Sequence, residues 1–481
     1  NNYPYRFIII IRFAFFACIA LGLDILIKQK KNLIIKSLGI SIGIIMSVGV
    51  VSSIKPAYEA LTYTQDYEIN NNKVLDNNPD NFLIVLKKIV KNSYPDGRVR
   101  STGFYPLSPV SNINSLRAEI PSVHHSYDPI VPTYQYGIVK LGTAKDSLDM
   151  TRNRYKIFSV LNAKFQVQSN TYFEFWGCKN LIPATFKANT PDLPSVGVCD
   201  FLENRLKLIY QDKEGAIYED KDVLPKVTII PNGALLVGDN RLNDFSGFIS
   251  KKLMFHPSFD EHKISILSGG STYIDDYNLD TLKQFRAVLL VDPKIRNNEE
   301  TDRLLSSYKD HGGRVIELHS KWKEYDYLHE RSDSLFTNNP VWDYSKEDNK
   351  NLASVFSLII AKEEKPGNVE IKKFSPEESI YQITTNEDNQ VFQFSDSFYP
   401  GWKAAIDGKK TDLYMADGLV KGIVIPKKGN HIVRFSYDPL SLKLGSIVTG
   451  STLFFIFGGY LLRRRLPSKR YKRSNKKRTF A

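Results

Sequence analysis

Residues 287–318, with the sequence AVLLVDPKIRNNEETDRLLSSYKDHGGRVIEL, carry the clearest fold signal in the chain. The apolar runs at residues 287–291 and 315–318 are typical of short buried β-strands. The stretch between them, at about residues 299–311, has a helical pattern and ends at Gly312 and Gly313, which commonly terminate helices. A strand, a helix, a glycine stop and another strand predict a parallel βαβ unit.

The same pattern extends over residues 227–365. Further short apolar strands are predicted at residues 227–230, 235–237 and 264–267. The region resembles a flavodoxin-like or glutamine-amidotransferase-like layer. No cysteine follows any of these strands, so the nucleophile of an active amidotransferase is missing. An inactive, sensor-like layer of this type remains one hypothesis for the region.

Downstream of this region the hydrophobic period changes to two. Alternating or apolar runs occupy residues 391–394, 420–425 and 431–437, and Asp407-Gly408 is a hairpin turn signal between two of the short strands. Several short strands with turn residues between them predict a small β-sandwich in residues 366–442. An apolar segment follows directly, so this sandwich is expected to lie close to a membrane.

Three apolar segments, residues 7–27, 33–54 and 444–462, are long enough to cross a bilayer as helices. Basic residues follow the first segment and the third, and the positive-inside rule assigns both basic regions to the cytoplasm. The predicted fold class is therefore membrane α-helical spans plus an α+β extracytoplasmic domain with a flavodoxin-like α/β layer and a membrane-proximal β-sandwich. The predicted organisation is two transmembrane helices in residues 1–56, a mixed α+β region in 57–226, the α/β region in 227–365, the β-sandwich in 366–442, a transmembrane helix in 443–463 and a basic cytoplasmic tail in 464–481.

The net charge of +13 is concentrated next to the predicted spans. The tail after Leu462 carries about ten Lys and Arg residues and no acidic residue, and more basic residues flank the first two segments. The large middle region is close to neutral. This distribution argues against nucleic-acid binding, which needs a basic stripe on the folded domain.

Two cysteines, Cys178 and Cys199, lie 21 positions apart in the region predicted to be extracytoplasmic. In an oxidising compartment they can form a disulfide. The alternative is two buried free thiols, and the sequence leaves both open.

Residues 395–403 read SDSFYPGWK, and residues 407–409 follow with DGK. Together with SYDP at residues 126–129, LPK at 224–226 and VRFSYDP at 433–439, they resemble the C-terminal part of YfhO-type bacterial membrane proteins and of the related 6-pyruvoyl-tetrahydropterin synthase-related membrane proteins. The chain departs from the usual pattern at Phe165, where Tyr is common, and at Lys226, where Arg is common.

The resemblance implies a polytopic glycosyltransferase of the GT-C type. Such proteins take a sugar from a polyprenyl-phosphate donor and transfer it to a cell-envelope acceptor on the outer face of the membrane. Their catalytic carboxylate lies in the first external loop, so we expect this chain to be a C-terminal region whose catalytic loop lies upstream. No catalytic residue, metal site or cofactor is predicted within it.

Five residues are candidates for contact with a substrate or a lipid phosphate. Arg6 and Arg12 lie at or within the first apolar segment, where an arginine either binds a lipid phosphate or extends to the interface. Tyr127 and Asp128 lie in a loop, where the aspartate either holds an acceptor hydroxyl or a metal, or only orders a turn. Trp402 either stacks on a sugar ring or fills the core of the sandwich.

The leading hypothesis is therefore a multi-pass plasma-membrane glycosyltransferase with its large domain outside the cell. Its expected partners are membrane lipid, a polyprenyl-phosphate sugar and an envelope glycan acceptor, and no nucleic acid. The alternative is a non-catalytic, membrane-anchored module that binds the envelope or acts as a scaffold.

Overall fold

The computed structural model describes residues 82–93, 96–102, 148–169, 178–184, 197–213, 215–238, 248–268, 270–318, 346–361, 367–375, 377–398, 401–440, 443–452 and 454. The chain divides into two units. One is Ile69–Tyr437, and the other combines Asn1–Glu68 with Asp438–Ala481. Almost all of the described residues belong to the first unit, and the fold below is that of this unit.

Within the described residues of the first unit, helices and strands are mixed as far as residue 360, and only strands follow from residue 368 to residue 437. The described helices are α1 (Phe82–Asn92), α2 (Leu148–Val160), α3 (Val198–Arg205), α4 (Phe248–Met254), α5 (Leu279–Leu282), α6 (Asn298–Asp310) and α7 (Lys346–Ile360). The described strands are β1 (Val99–Thr102), β2 (Phe165–Ser169), β3 (Leu206–Gln211), β4 (Gly215–Asp220), β5 (Val227–Ile230), β6 (Asn232–Gly238), β7 (Ile264–Ser268), β8 (Ala287–Val291), β9 (Arg314–Leu318), β10 (Asn368–Phe374), β11 (Glu378–Thr385), β12 (Gln390–Ser397), β13 (Trp402–Ile406), β14 (Lys409–Thr411), β15 (Tyr414–Ala416), β16 (Val420–Ile425) and β17 (Gly429–Tyr437).

An eight-stranded mixed sheet with the order β5-β12-β16-β15-β7-β6-β8-β9 forms the centre of the unit. Its strands β7, β6, β8 and β9 are parallel neighbours, and β8, α6 and β9 form the βαβ unit predicted from residues 287–318. Every residue of β8 is buried, as expected for a strand covered on both faces. The helix α6 begins after Asn297, whose side chain accepts a hydrogen bond from the backbone N–H of Glu300.

A second sheet, antiparallel and with the order β10-β11-β17-β13-β14, packs on the other half of the large sheet. The layer between them is rich in aromatic rings, and Phe392 and Phe435 stack with their centroids 5.8 Å apart. Tyr381 lies against both rings. Full burial of one such side chain contributes about 1.5–3 kcal/mol to folding, so this layer holds the two sheets together.

A third sheet, with the order β1-β2-β4-β3, is covered by α1. Phe82 and Leu86 of α1 are completely buried against Phe165, Val167 and Ile217 of the sheet. The helix follows the spacing of apolar residues every three or four positions, which places these side chains on one face.

The fold class predicted from the sequence is wrong for the part of the chain that the structure describes. None of the helices there is both long enough and apolar enough to cross a membrane. The predicted spans at residues 7–27 and 33–54 lie outside the described residues, as does much of the one at residues 444–462.

The α/β layer predicted in residues 227–365 and the β-sandwich predicted in residues 366–442 are not separate in the structure. Strands β5, β12, β16 and β15 extend the parallel strands in one continuous sheet, so the α/β layer and the β-sandwich share a sheet. The register joins Val391 of β12 to Ile230 of β5, across a large separation in sequence. The domain is thus a single α+β architecture with mixed and antiparallel sheets, rather than a flavodoxin-like layer beside a separate sandwich.

Candidate functional site

Asp396 lies at the end of β12, within the phrase that carries the family resemblance. The pairing of β12 with β16 shifts register between Phe394 and Ser397, which leaves Asp396 in a β-bulge. Its Oδ1 atom accepts a hydrogen bond from Nη2 of Arg98 at 3.1 Å. Its Oδ2 atom accepts one from Nζ of Lys421 at 2.9 Å. The bulge therefore places one carboxylate between two cations.

Lys421 lies on β16 with its side chain completely buried. Its Nζ atom is 3.4 Å from the centre of the Trp402 ring and 4.3 Å from that of Phe394. Burial lowers the pKa of this lysine, and the charge of Asp396 opposes that shift. The negative faces of the two rings stabilise the cation further.

The carboxyl group of Asp396 is ionised at neutral pH. Burial acts to raise its pKa, but Lys421 and Arg98 outweigh that effect and lower the pKa to about 2. The side chain of Asp396 is 39% exposed, so solvent can reach it. A carboxylate with so low a pKa is a poor proton acceptor near neutral pH, and its role is electrostatic.

Lys226, which precedes β5, adds a third cation to this cluster. Its Nζ atom lies 4.2 Å from the centre of the Phe374 ring. Its backbone N–H donates to Oδ1 of Asp96, and its carbonyl accepts from the backbone N–H of Ser395 at 2.7 Å. Burial, together with the charge of Arg98, lowers the pKa of Lys226 to about 8. Within the described residues its ammonium group has no hydrogen-bond partner.

We refer to Arg98, Lys226, Asp396, Trp402 and Lys421 as the Asp396 cluster. It contains three cations and one carboxylate, and Asp96 contributes a second carboxylate that is bound to backbone. The cluster is therefore positively charged overall when its lysines are protonated. One of its cations, Lys226, is half-buried and available for a further anionic partner.

Trp402 was predicted as a contact for a sugar ring or as a core aromatic residue. The structure shows it half-buried on β13, where it packs at the edge of the sandwich core. Its ring centroid lies 5.2 Å from that of Tyr437, at an interplanar angle of 47°. Its other neighbour is the ammonium group of Lys421. The ring thus belongs to the core and to the cluster at once.

Of the other residues predicted from the sequence, four lie outside the described part of the chain and two are the cysteines. Arg6, Arg12, Tyr127 and Asp128 lie outside the described residues. Cys178 and Cys199 are joined by a disulfide, with their Cα atoms 5.1 Å apart, which connects a 3₁₀ turn to the start of α3.

Sequence patterns did not indicate four residues of the cluster as functional: Arg98, Lys226, Asp396 and Lys421. One local signal existed, because Lys421 interrupts an apolar strand at a position that faces inward. Asp396 was within the quoted phrase but carried no separate signal. Arg98 is 298 positions from Asp396, so nothing local connected the two.

A second buried carboxylate, Asp417, lies in the turn between β15 and β16 and is fully buried. Its Oδ1 accepts from the backbone N–H of Ile266 at 2.8 Å, and its Oδ2 accepts from the amide of Gln393 at 3.2 Å. Burial raises the pKa of Asp417 to about 7 despite these bonds. The hydrogen bond from Ile266 connects the turn to strand β7, so Asp417 has a structural role.

Across the residues that the structure describes, no group of three or more His, Cys, Asp or Glu side chains is arranged to hold a metal ion. Comparison of the sequence with protein-family models gave no match, and no curated protein matched it.

Proposed function

We propose that the unit Ile69–Tyr437 is the extracytoplasmic ligand-binding domain of an envelope glycosyltransferase of the GT-C type. Its ligand is the polyprenyl-phosphate sugar that donates the sugar, and the acceptor is a glycan of the cell envelope. The observation that carries this proposal is the positive charge of the Asp396 cluster beside a half-buried tryptophan.

The phosphate group is the part of the donor that this cluster suits. The ammonium group of Lys226 is half-buried and has no hydrogen-bond partner among the described residues, and an anion bound beside it would offset the cost of this partial desolvation. Charge-assisted hydrogen bonds from Lys226 and Arg98 to phosphate oxygens are short and strong. Asp396 holds Arg98 and Lys421 in place, so that their positions do not depend on the ligand.

The sugar is the part that Trp402 suits. The ring is half-buried, and its position is fixed by Tyr437 and Lys421. A fixed aromatic ring gives apolar contact area at little cost in side-chain entropy. Both parts of the donor would then meet the same edge of the sandwich.

The disulfide between Cys178 and Cys199 supports a location outside the cytoplasm. Structural disulfides persist in oxidising compartments and are rare in the cytosol. The outer face of the plasma membrane is where polyprenyl-phosphate donors are used by enzymes of this type, so the location and the ligand agree.

We assign the Asp396 cluster a role in binding the ligand and not in proton transfer. Asp396, with a pKa of about 2, holds its proton too weakly to act as a general base at neutral pH. The transfer chemistry is therefore assigned to groups outside the cluster.

The test is sugar transfer by a protein that joins this chain to the upstream catalytic loop that the family resemblance implies, measured with a radiolabelled polyprenyl-phosphate hexose and an envelope acceptor. Lys226→Gln should raise KM for the donor about tenfold and leave kcat unchanged, because it removes one charged contact of about 1.4 kcal/mol. Lys226→Arg should retain activity. Lys372→Gln, which alters an exposed lysine paired with Glu370, is the matched control.

An unchanged KM for folded Lys226→Gln protein would refute the role of the cluster. Binding of the donor without any transfer would favour the alternative of a non-catalytic envelope-binding module.

A further inference from the structure

The disulfide between Cys178 and Cys199 takes no part in the Asp396 cluster, and its two cysteines differ in exposure. Cys178 is only 2% exposed and belongs to the buried core of the unit. Cys199 is partly exposed and packs against that core. A dissolved thiol attacks a disulfide at the sulfur that it can reach. The difference in burial therefore directs such an attack to Cys199.

The position of Cys199 in helix α3 also favours its reduced form. Cys199 is the second residue of this helix, which has eight residues. The N-cap residue is Gly197, with a left-handed backbone (φ 80°), and it provides no side-chain hydrogen bond to the first turn. N–H groups in the first turn of a helix stabilise a negatively charged sulfur. When the disulfide opens, the helix therefore stabilises the thiolate of Cys199.

Cys178 precedes a 3₁₀ turn that is held to the fold by contacts other than the disulfide. The backbone N–H of Leu181 donates to the carbonyl of Cys178 at 2.9 Å, and the hydroxyl of Tyr218 donates to the carbonyl of Leu181. The side chain of Leu181 is buried in the same core as Cys178. These contacts keep the Cys178 sulfur in apolar surroundings after the disulfide opens, and such surroundings favour the neutral thiol.

The reduced pair thus consists of one thiolate at a helix start and one buried thiol. Stabilisation of the reduced form makes a disulfide easier to reduce, and a buried partner cysteine limits the attack to one sulfur. Both effects distinguish this disulfide from one that is enclosed on both sides.

We propose that Cys199 is a thiol-exchange site, at which a low-molecular-weight thiol forms a mixed disulfide. The thiolate of the small molecule attacks Sγ of Cys199, and the bond between the two cysteine sulfurs breaks. The electron pair of that bond passes to Sγ of Cys178, which takes up a proton and becomes a buried thiol. A second molecule of the thiol then releases Cys199 in its reduced form. The proposal does not depend on the function assigned to the Asp396 cluster.

Asp200 allows the electrostatic part of the proposal to be tested, because it follows Cys199 in the same turn of α3 and is exposed. Its negative charge disfavours both the incoming thiolate and the thiolate of Cys199. Asp200→Asn should therefore speed the exchange about two- to fivefold, the range expected for one charge in the first turn of a helix. Asp302→Asn, which alters an exposed acid on α6, is the matched control and should leave the rate unchanged.

The experiment incubates the folded full chain with reduced glutathione at neutral pH without denaturant, stops the reaction with acid and locates the adduct by mass spectrometry. The adduct should form on Cys199 and not on Cys178, while circular dichroism stays that of the folded protein. Cys178→Ser, in which the disulfide cannot close again, should form the same adduct from oxidised glutathione. An adduct that forms only after urea unfolds the chain, an adduct on Cys178, or equal exchange rates for wild type and folded Asp200→Asn would overturn the proposal.

Discussion

The Nζ atom of Lys421 lies 2.9 Å from Oδ2 of Asp396, at the edge of a sandwich core whose other members are apolar. The lysine is completely buried, whereas the aspartate is 39% exposed. Removing the charge of one partner from such a pair leaves the other uncompensated, and the buried partner has the higher desolvation cost. The stability of this edge therefore depends on Asp396.

Asp396→Asn should lower the free energy of unfolding by about 2 kcal/mol. This is below the roughly 3–5 kcal/mol seen when a fully buried pair is broken, because Asp396 is partly solvated and Trp402 still stabilises the cation. Urea unfolding followed by circular dichroism measures the change. Glu370→Gln, in an exposed pair with Lys372, is the control and should cost less than about 0.5 kcal/mol.

The double variant Asp396→Asn with Lys421→Met should recover part of the loss, because it removes the buried charge itself. A single variant as stable as wild type would mean that Lys421 does not depend on Asp396.

Asp417 should make the domain less stable as pH rises from about 4 to about 7. Its pKa in the folded state, about 7, is above the roughly 3.9 of an unfolded aspartate. The folded state therefore binds the proton more tightly, and this contribution is complete below about pH 4 and lost as pH rises through about 7. The slope attributable to this residue approaches about 1.4 kcal/mol per pH unit within that window.

The measurement is urea unfolding of wild type and Asp417→Asn across that pH range. The asparagine should remove the slope and keep the fold, because its oxygen can still accept from Ile266 while Gln393 rotates its amide to offer its unpaired oxygen. Parallel pH profiles for the two proteins would contradict the assignment.

Reduction of the disulfide should lower the free energy of unfolding by about 3 kcal/mol. The bond joins residues 21 positions apart, and closing a loop of this length restricts the unfolded chain by about that amount. The measurement compares urea midpoints with and without reductant. Cys178→Ser combined with Cys199→Ser should reproduce the reduced value and no longer respond to reductant, and a response in that variant would show that another group is being reduced.

Sequence patterns predicted those parts of the fold whose elements are adjacent in the sequence. The unit β8–α6–β9 follows from residues 287–318 alone, because strand, helix and glycine stop lie next to one another in sequence. The continuous sheet does not follow, since the pairing of Val391 with Ile230 is fixed by packing between distant segments. Hydrophobicity alone also misled the fold class: α7, with 15 residues, is the longest of the seven described helices, and it has one buried face rather than a fully apolar surface.

The candidate site was predictable only at Trp402. A tryptophan in a polar phrase draws attention by its chemistry, whereas Arg98 and Lys226 look like ordinary surface cations until the fold brings them together around Asp396. Their significance comes from burial and charge, which are properties of the folded chain.

The most direct test of the account is the binding of a short-chain polyprenyl-phosphate hexose to the full chain, measured by isothermal titration calorimetry. A neutral polyprenyl hexoside without the phosphate is the matched ligand. The account predicts that the phosphodiester binds at least about tenfold more tightly, and that Lys226→Gln removes most of this difference. Binding should also weaken from about pH 7 to about pH 9, as Lys226 loses its proton around pH 8. Equal affinity for the two ligands, or an unchanged affinity in folded Lys226→Gln protein, would contradict it.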